Sequence, residues 1–333
     1  MKIFAKVLLM LFMIIIFINQ IGCQSNMVSN KDERNLNITM AGGSPNGTLY
    51  MVLSGVAECV QKCYPGSVVM IVPGSGTANL FRINNNEVDA GASHSATAYS
   101  ALKGEELFDS KLDNISAIAS LYPSTLQIVV NKNLGIESFD QIINNKMKLQ
   151  ISVDQPGSTA SITFQRLLAE YGVDSDDFAE WGGEIIYKNM NDSADMLVDG
   201  RIEGMSISTL FPAPTILEAS LNRELTILEI NPNILESMIN KYHYNTTVIP
   251  AHSYPFLEKD ILALSSNTII VVPRNSSEDM AYLLARSITE NIDYLKDVHV
   301  ALKQITPQSL TENLGIPLHK GAERYYREIG IIK

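Results

Sequence analysis

Hydrophobic and polar residues alternate between strand-like and helix-like periods from residue 35 onward. Continuous or alternating apolar residues predict strands, and apolar residues that recur every three or four positions predict helices. The best-defined helix covers 48–63 and is followed by the stop signal Tyr64-Pro65-Gly66. The first elements follow the order strand, helix, strand, helix, strand. This order is typical of an α/β fold with a mainly parallel sheet and helices on both faces.

The same pattern continues to the end of the chain. The predicted strands cover 35–40, 67–72, 88–93, 115–122, 126–130, 149–153, 185–187, 205–208, 225–229 and 268–272. The predicted helices cover 48–63, 77–86, 97–103, 138–146, 158–171, 193–197, 214–221, 234–242 and 277–304. Pro123 is predicted to form a turn between the fourth and fifth strands, because proline cannot donate to a strand ladder.

No linker separates the elements into two consecutive domains. Two domains without a linker can form when the chain leaves the first domain and returns to it later. The apolar runs at 128–130 and 269–272 are the candidate crossings, since strands buried between lobes are apolar throughout. We therefore predict one lobe from 36–129 plus 269–333 and a second lobe from 130–268.

The N-terminus has the pattern of an export signal. Lys2 and Lys6 precede an apolar run over 7–18, and Gly22-Cys23 follows that run. This run is short for a membrane span and typical of a secretion signal. A small residue before cysteine resembles a lipoprotein signal, although Gln20 stands where that motif usually has an aliphatic residue. We predict a signal peptide at 1–22 and lipid on Cys23; the alternatives are cleavage elsewhere or an uncleaved anchor.

Composition and charge narrow the class of protein. The chain has 333 residues, 46 % hydrophobic and 18 % charged, with a formal net charge of -11. These fractions indicate a globular protein, and the acidity argues against nucleic acid as a partner. Cys59 and Cys63 lie four residues apart on one predicted helix, where two buried thiols are favoured over a disulfide. No cysteine and histidine spacing indicates a metal site.

Four polar loops between predicted strands and helices carry the candidate binding residues. They cover 41–48, 73–77, 93–95 and 155–159. The first has the glycine spacing of a phosphate loop with Thr48 in place of lysine, and the second lacks the third glycine of a dinucleotide fingerprint, so no nucleotide cofactor is predicted. Because open α/β sheets bind ligands at the carboxyl ends of their strands, four such loops predict a cleft. Amides at helix N-termini favour an anion such as a carboxylate there.

A catalytic role has little support in the sequence. His94 lies between Ser93 and Ser95 and could act as a base beside a nucleophile. The chain has no G-x-S-x-G elbow, and its histidines are scattered. A polar cleft histidine is therefore the favoured interpretation, and we predict no catalytic residue.

From about residue 37 to the C-terminus, several motifs carry a family resemblance. They are GGSPNGTLY, VPGSGTANLFRINNNEVDAGASHSATAYSAL, Gln155-Pro156-Gly157-Ser158, FPAPTILEA, VIPAHSYP and PLHKGAERYYREIG. In these motifs the chain resembles the TAXI (transporter-associated extracytoplasmic immunogenic) family. Members of that family are the solute-binding subunits of tripartite ATP-independent periplasmic (TRAP) transporters. The closing P-L-H-x-G-A-x-x-Y-Y run is the most distinctive of the matches.

The resemblance implies an α/β, two-lobed periplasmic-binding-protein fold, type II-like, with β-strand hinges. It implies no catalysis, TRAP membrane subunits as partners, and small carboxylates or amino acids such as glutamate as ligands. Together with the lipoprotein-like signal, it predicts a lipid-anchored extracytoplasmic location. The candidate ligand-binding residues are Gly43, Gly47, Tyr50, Gly74, Ser75, Gly76, Ser93, His94, Tyr122, Gly157, Ser158 and Thr159. Family members often have Gln-Ser-Asp at 93–95. The loss of this Asp and the gain of His94 favour a dicarboxylate or keto acid.

Two other functions are compatible with the sequence. The same fold could serve as an extracytoplasmic sensor that feeds a signalling receptor. A lipoprotein hydrolase that uses His94 is the alternative from the enzyme class.

Overall fold

Among the residues that the structure describes, ten strands form one mixed sheet, with helices against both of its faces. The computed structural model describes residues 34–45, 47–105 and 108–333. The signal peptide expected at 1–22 and the lipid expected on Cys23 lie outside the described residues. Within the described ranges, no helix is long and apolar enough to cross a membrane.

The strands have the following bounds: β1 Asn37–Ala41, β2 Val68–Val72, β3 Ala90–His94, β4 Ile115–Asn131, β5 Gln150–Ser152, β6 Glu184–Ile186, β7 Gly204–Thr209, β8 Leu225–Ile227, β9 Asn245–Ile249 and β10 Ile261–Pro273. The α-helices are α1 Thr48–Cys63, α2 Gly76–Asn84, α3 Ser95–Lys103, α4 Phe139–Asn144, α5 Thr159–Glu170, α6 Ser175–Glu180, α7 Met190–Val198, α8 Pro214–Ser220, α9 Pro232–Tyr242, α10 Glu278–Glu290, α11 Ile292–Val298 and α12 Lys320–Glu328. Short 3-10 helices cover Lys132–Leu134, Val300–Leu302 and Ser309–Thr311.

The strand order is β2-β1-β3-β10-β4-β7-β5-β6, with β9 paired to β10 and β8 paired to β4. Strand pairs are parallel at the two ends of the sheet, among β1, β2 and β3 and among β5, β6 and β7. The long strands β4 and β10 run antiparallel to each other and to their other partners. The expectation of a mainly parallel sheet was therefore wrong, because the chain returns to the first end of the sheet through β10.

The two long strands change neighbours in the middle of the sheet. Strand β4 pairs with β10 up to Thr125 and with β7 from Thr125 onward. Strand β10 pairs with β9 up to Ser265 and with β3 from Thr268 onward. We call the part with β1–β3 the first half-sheet and the part with β5–β9 the second half-sheet. The change of partners falls a few residues before the apolar runs at 128–130 and 269–272.

Strand β4 is continuous, so the predicted turn at Pro123 was wrong. Pro123 lies opposite Asn267 on β10, and the β7 ladder on the other edge begins only at Thr125. The amide of Asn267 donates to Oγ of Ser95 at 3.1 Å instead of to β4. No hydrogen bond between strands therefore requires an N–H group at Pro123, and a proline is accommodated within the strand.

The helix expected over 277–304 is interrupted at Asn291, which separates α10 from α11. Nδ2 of Asn291 donates to the carbonyl of Ser287 at 2.9 Å and to Sγ of Cys63 at 3.2 Å. A short polar side chain that bonds its own backbone competes with helix propagation. Other elements were not predicted: β9, α6, α12 and the first part of β10.

In the described part of the chain, four apolar clusters cover the two faces of the two half-sheets. Alternation along β10 shows the division, since Ile270 and Val272 belong to one cluster and Ile269 and Val271 to another. In α1, Cys59 is buried and Cys63 half-buried, and both are free thiols. Burial raises the pKa of Cys59 to about 12. The structure thus agrees with the interpretation of two thiols without a disulfide.

Candidate ligand-binding cleft

A small pocket lies where the carboxyl ends of strands from both half-sheets meet. Its volume is about 210 Å³. The lining comes from the loops after β1, β2 and β5, from the end of β3 and from the end of β7: Gly43, Ser44, Gly74, Ser75, Gly76, His94, Asp154, Gln155, Pro156, Ser158, Thr159, Ala160 and Ser208. The carboxyl ends of strands are where open α/β sheets place ligands, and this volume suits a molecule smaller than a typical drug.

Two helices point their N-termini at this pocket from opposite half-sheets. Helix α2 begins after Ser75, whose side chain accepts from the amide of Ala78 at 3.4 Å. Helix α5 begins after Ser158, whose side chain accepts from the amide of Ser161 at 3.2 Å. Because its hydroxyl oxygen accepts such a bond, serine is a favoured residue at the N-cap position of a helix.

The first amides of these two helices remain available to a ligand. The N–H groups of Gly76, Thr77, Thr159 and Ala160 have no hydrogen-bond partner among the described residues. A helix N-terminus carries a partial positive charge, so an anion there is stabilised. The first turn of α3 differs, because the amide of Ala96 donates to Oγ of Ser266 at 3.1 Å. The anion-binding character therefore comes from α2 and α5.

His94 and Thr159 form a hydrogen bond across the pocket. Nδ1 of His94, at the end of β3, lies 2.7 Å from Oγ1 of Thr159 in the first turn of α5. Desolvation lowers the pKa of His94 to about 4, so the ring is neutral at neutral pH. The neutral imidazole and the hydroxyl add polar groups to the pocket without adding positive charge.

A second hydrogen bond joins the two sides of the pocket. Oγ1 of Thr77, in the first turn of α2, donates to the carbonyl of Gly157 at 2.9 Å. Gly157 adopts a positive φ of 75°, a conformation that glycine adopts without steric cost. Together with the bond between His94 and Thr159, this contact holds the two sets of loops against each other.

The buried side chain of Asn79 fixes the loops of the first half-sheet from below. Its Nδ2 lies within hydrogen-bond distance of the carbonyls of Ala41 at 3.1 Å, Gly42 at 2.9 Å and Ala92 at 2.8 Å. Ala41 and Gly42 lie at the end of β1 and Ala92 lies within β3, so one amide group connects the two strands beneath the pocket. Sequence reasoning missed this role, although a polar residue on the inner face of a helix was a visible signal.

Seven of the candidate residues line the pocket: Gly43, Gly74, Ser75, Gly76, His94, Ser158 and Thr159. Three more support its walls. Gly157 accepts the Thr77 hydroxyl, Ser93 donates through Oγ to the carbonyl of Gly76 at 2.9 Å, and Gly47 caps α1 and donates to the carbonyl of Ser44 at 3.0 Å.

The structure does not bring the two candidate tyrosines to the pocket. Tyr50 lines a separate groove on the outer side of α1, together with Glu58 and Tyr294. Tyr122 is buried in β4 opposite Thr268, and burial raises the pKa of its phenol to about 12. Tyr50 was assigned by family resemblance, and it lies in α1 rather than in the loop after a strand.

Six lining residues were not among the candidate residues, namely Ser44, Asp154, Gln155, Pro156, Ala160 and Ser208. Three of them, Ser44, Gln155 and Pro156, lie in loops that were predicted to form the cleft. Asp154 is the one that changes the chemistry, because it places a carboxyl group in the wall of the pocket. A signal for it was present, since Asp154 directly follows the predicted strand at 149–153, where the loop opens.

The contacts of His94 do not resemble a serine hydrolase. Oγ of Ser93 donates to the carbonyl of Gly76, and Oγ of Ser95 lies 3.2 Å from Oγ of Ser266. The imidazole contacts Thr159 rather than either neighbouring serine, whereas a serine nucleophile needs a base within hydrogen-bond reach. In the described part of the chain, no group of three or more histidine, cysteine, aspartate or glutamate side chains could hold a metal ion.

Comparison with known proteins identifies the class. Residues 40–330 match the model of the NMT1-like family, and the chain belongs to that family. Its fold is the α/β fold of periplasmic binding proteins, in which a mixed sheet is covered by helices.

Three solved structures illustrate the likeness. MatC from Rhodopseudomonas palustris, with bound malate, has 13% sequence identity and a TM-score of 0.52 over 89% of this chain and 96% of that chain. The periplasmic binding protein BugD has 13% identity and a TM-score of 0.51 over 90% and 98%. A TctC solute-binding protein from Polaromonas has 12% identity and a TM-score of 0.50 over 90% and 99%. At such identities the likeness concerns the fold.

Proposed function

We propose that this protein is an extracytoplasmic solute-binding protein that captures a small carboxylate between its two half-sheets. The observation that carries the proposal is the pocket itself, in which the free first-turn amides of α2 and α5 meet from opposite sides. Hydroxyl groups of Ser75, Ser158 and Thr159 supplement these amides. A carboxylate bound in this way needs no arginine side chain, because several neutral hydrogen-bond donors together stabilise its negative charge.

The proposed capture step is closure of two lobes around the ligand. We place the lobes at 36–129 plus 269–333 and at 130–268, joined by β4 and β10. The change of strand partners at Thr125 and near Ser266 supports these two strands as the hinges. Rigid lobes commonly rotate about a few residues at element ends or crossings. The two hydrogen bonds across the pocket then belong to the closed state.

The proposed partner is the membrane part of a TRAP transporter. The TAXI-like motifs, above all the PLHKGAERYYREIG ending, support this finer assignment. Export through the signal at 1–22 and lipid on Cys23 would hold the protein at the outer side of the cell membrane. The protein has no catalytic step in this role, since the membrane subunits perform the transport.

A melting screen tests the proposal directly. The purified protein is heated with a panel of mono- and dicarboxylates, keto acids and amino acids, and product formation is followed in parallel. A ligand at 100 times its Kd should stabilise the folded state by about 2.7 kcal/mol. Stabilisation without turnover supports a binding protein. A panel without any stabilising compound, or turnover of one, contradicts the proposal.

Deletion of the gene separates transport from sensing. A transport protein is required for uptake of the radiolabelled ligand, so uptake should be lost in the deletion strain. A sensor would leave uptake intact and remove a transcriptional response to the same ligand.

A further inference from the structure

Asp154 places a negative charge in a pocket that otherwise attracts anions. It lies between β5 and α5 and lines the same pocket as the amides of α2 and α5. Among the described residues, its side chain accepts one hydrogen bond, from the amide of Gln155 at 2.7 Å, and it forms no ion pair with a lysine or arginine. The carboxyl group thus has unused hydrogen-bonding capacity on the pocket side.

No other ionised side chain in the described lining balances this charge. His94 is the second titratable group there, and it is neutral at neutral pH. Arg82, the nearest arginine along the chain, donates to the carbonyl of Pro73 at 2.8 Å and is not part of the lining. A partly desolvated carboxylate without a cation attracts positive charge and repels a second anion more strongly than it would in water.

We propose that Asp154 binds a cationic nitrogen of the ligand, so that the pocket selects a small molecule with both an ammonium group and a carboxylate. This inference rests on the proposed function and names the ligand class within it. The carboxylate lies at the first-turn amides of α2 and α5, and the ammonium group lies at Asp154. A dicarboxylate or keto acid of the same skeleton lacks the partner for Asp154 and meets its repulsion. The preference for such acids inferred from His94 in the sequence is thereby reversed.

A purely structural role for Asp154 predicts a different result. An acid near the start of α5 also interacts favourably with the helix dipole. That interaction stabilises the folded protein, and its strength does not depend on whether the ligand has an amino group. The discriminating quantity is therefore the ratio of affinities for two ligands that differ only at that group.

The experiment measures this ratio by calorimetry for matched pairs at neutral pH. The pairs are L-glutamate and 2-oxoglutarate, L-aspartate and oxaloacetate, L-alanine and pyruvate, and L-leucine and 4-methyl-2-oxopentanoate, with glutarate and succinate as further dicarboxylates. The wild-type protein should bind the amino member of its preferred pair at least about tenfold more tightly, as expected for a charge-assisted hydrogen bond. Asp154→Asn should reduce that preference to about threefold or less.

Three controls make the result specific. Asp113→Asn changes the net charge equally at an exposed position outside the pocket and should keep the wild-type ratio. Asp154→Glu keeps the charge and should retain part of the preference. Melting without ligand checks that Asp154→Asn is folded; asparagine tolerates the positive φ of 67° at this position as aspartate does.

Each outcome bears on one of the two proposals. A lost amino preference in Asp154→Asn alone supports the role of Asp154. Equal or tighter binding of the oxo acid by the wild-type protein, or an equal loss for both members in Asp154→Asn, overturns that role and leaves the solute-binding function standing. Failure of every compound in the panel to bind the wild-type protein overturns the solute-binding function itself.

Discussion

The side chain of Asn79 occupies the space that a side chain at Gly74 would need. A Cβ atom built on Gly74 would lie 2.1 Å from Oδ1 of Asn79. Asn79 is fully buried, and its Nδ2 lies within hydrogen-bond distance of the carbonyls of Ala41, Gly42 and Ala92. The glycine of the β2–α2 loop is thus required by close packing rather than by an unusual φ. The β2–α2 loop can pack against the Asn79 side chain only because Gly74 has no Cβ atom.

Gly74→Ala is therefore expected to destabilise the protein by about 1–3 kcal/mol, the usual cost of overpacking a rigid site. Gly42→Ala in the neighbouring loop is the matched control, since its Cβ would meet no atom closer than 3.4 Å. Urea unfolding of both variants measures the difference. Equal stability losses would show that Asn79 moves aside freely and does not fix the loop.

Removal of the Thr77 hydroxyl, which donates to the carbonyl of Gly157, should weaken ligand binding. Thr77→Ala breaks the hydrogen bond to Gly157, so a smaller fraction of the protein is in the closed, binding-competent state. The apparent Kd is inversely proportional to that fraction and therefore rises. We expect an increase of about threefold to tenfold, as one hydrogen bond is worth about 1 kcal/mol. Calorimetry measures the Kd, and small-angle scattering should show a larger ligand-free radius of gyration.

Thr77→Ser is the control for this effect, because it keeps the hydroxyl group and should restore binding close to the wild-type value. If Thr77→Ala and Thr77→Ser bind equally, the contact with Gly157 has no influence on closure.

Ser158→Ala and Arg82→Ala separate two ways of holding a carboxylate. Ser158 lines the pocket and caps α5, and we expect its loss to weaken binding by about 1–3 kcal/mol, the cost of leaving a buried charged acceptor without one donor. Arg82 donates to the carbonyl of Pro73 outside the pocket and should matter less. Calorimetry on both variants ranks the two effects. The opposite ranking would indicate a guanidinium clamp in place of amides and hydroxyls.

His94 should make stability depend on pH in the acid range. Its pKa is about 4 in the folded protein against an ordinary 6.5, so the unfolded chain binds more protons between these values. The free energy of unfolding should therefore fall as pH decreases from 6.5, by up to about 1.4 kcal/mol per pH unit, and His94 should contribute no slope above that range. Urea unfolding between about pH 4.5 and 8 measures the slope.

His94→Gln provides the reference for this measurement. Burial also lowers the pKa of His299 and His319, and it raises the pKa of Asp154, which acts with the opposite sign at the acid end. The difference between the wild-type and His94→Gln curves isolates the contribution of His94. Parallel curves would mean that this imidazole titrates normally in the folded protein.

The N-terminal prediction concerns residues outside the described ranges and needs a chemical test. Mass spectrometry of the protein isolated from its own membrane should find Cys23 as the first residue, carrying acyl chains. A free N-terminus downstream of Cys23 would leave export without a lipid anchor.

Local sequence patterns determined the elements and the positions of the loops. Helix α1 has the predicted bounds, because its apolar stripe, its polar N-terminus and the Tyr64-Pro65-Gly66 stop all act within a few residues. The same holds for the candidate glycine and hydroxyl residues at the strand ends, six of which line the pocket. Capping and turn preferences are properties of short segments, and for that reason the sequence alone contains them.

Tertiary structure decided what depends on distant partners. Pro123 stays inside β4 because the other edge of the strand has no ladder at that position. Asp154 becomes a pocket residue, and Tyr50 does not, because the order of strands in the sheet sets which loops meet. That order follows from the return of the chain through β10, which joins residues far apart in sequence. Such long-range pairings leave no periodic trace in either segment, so only the folded chain reveals them.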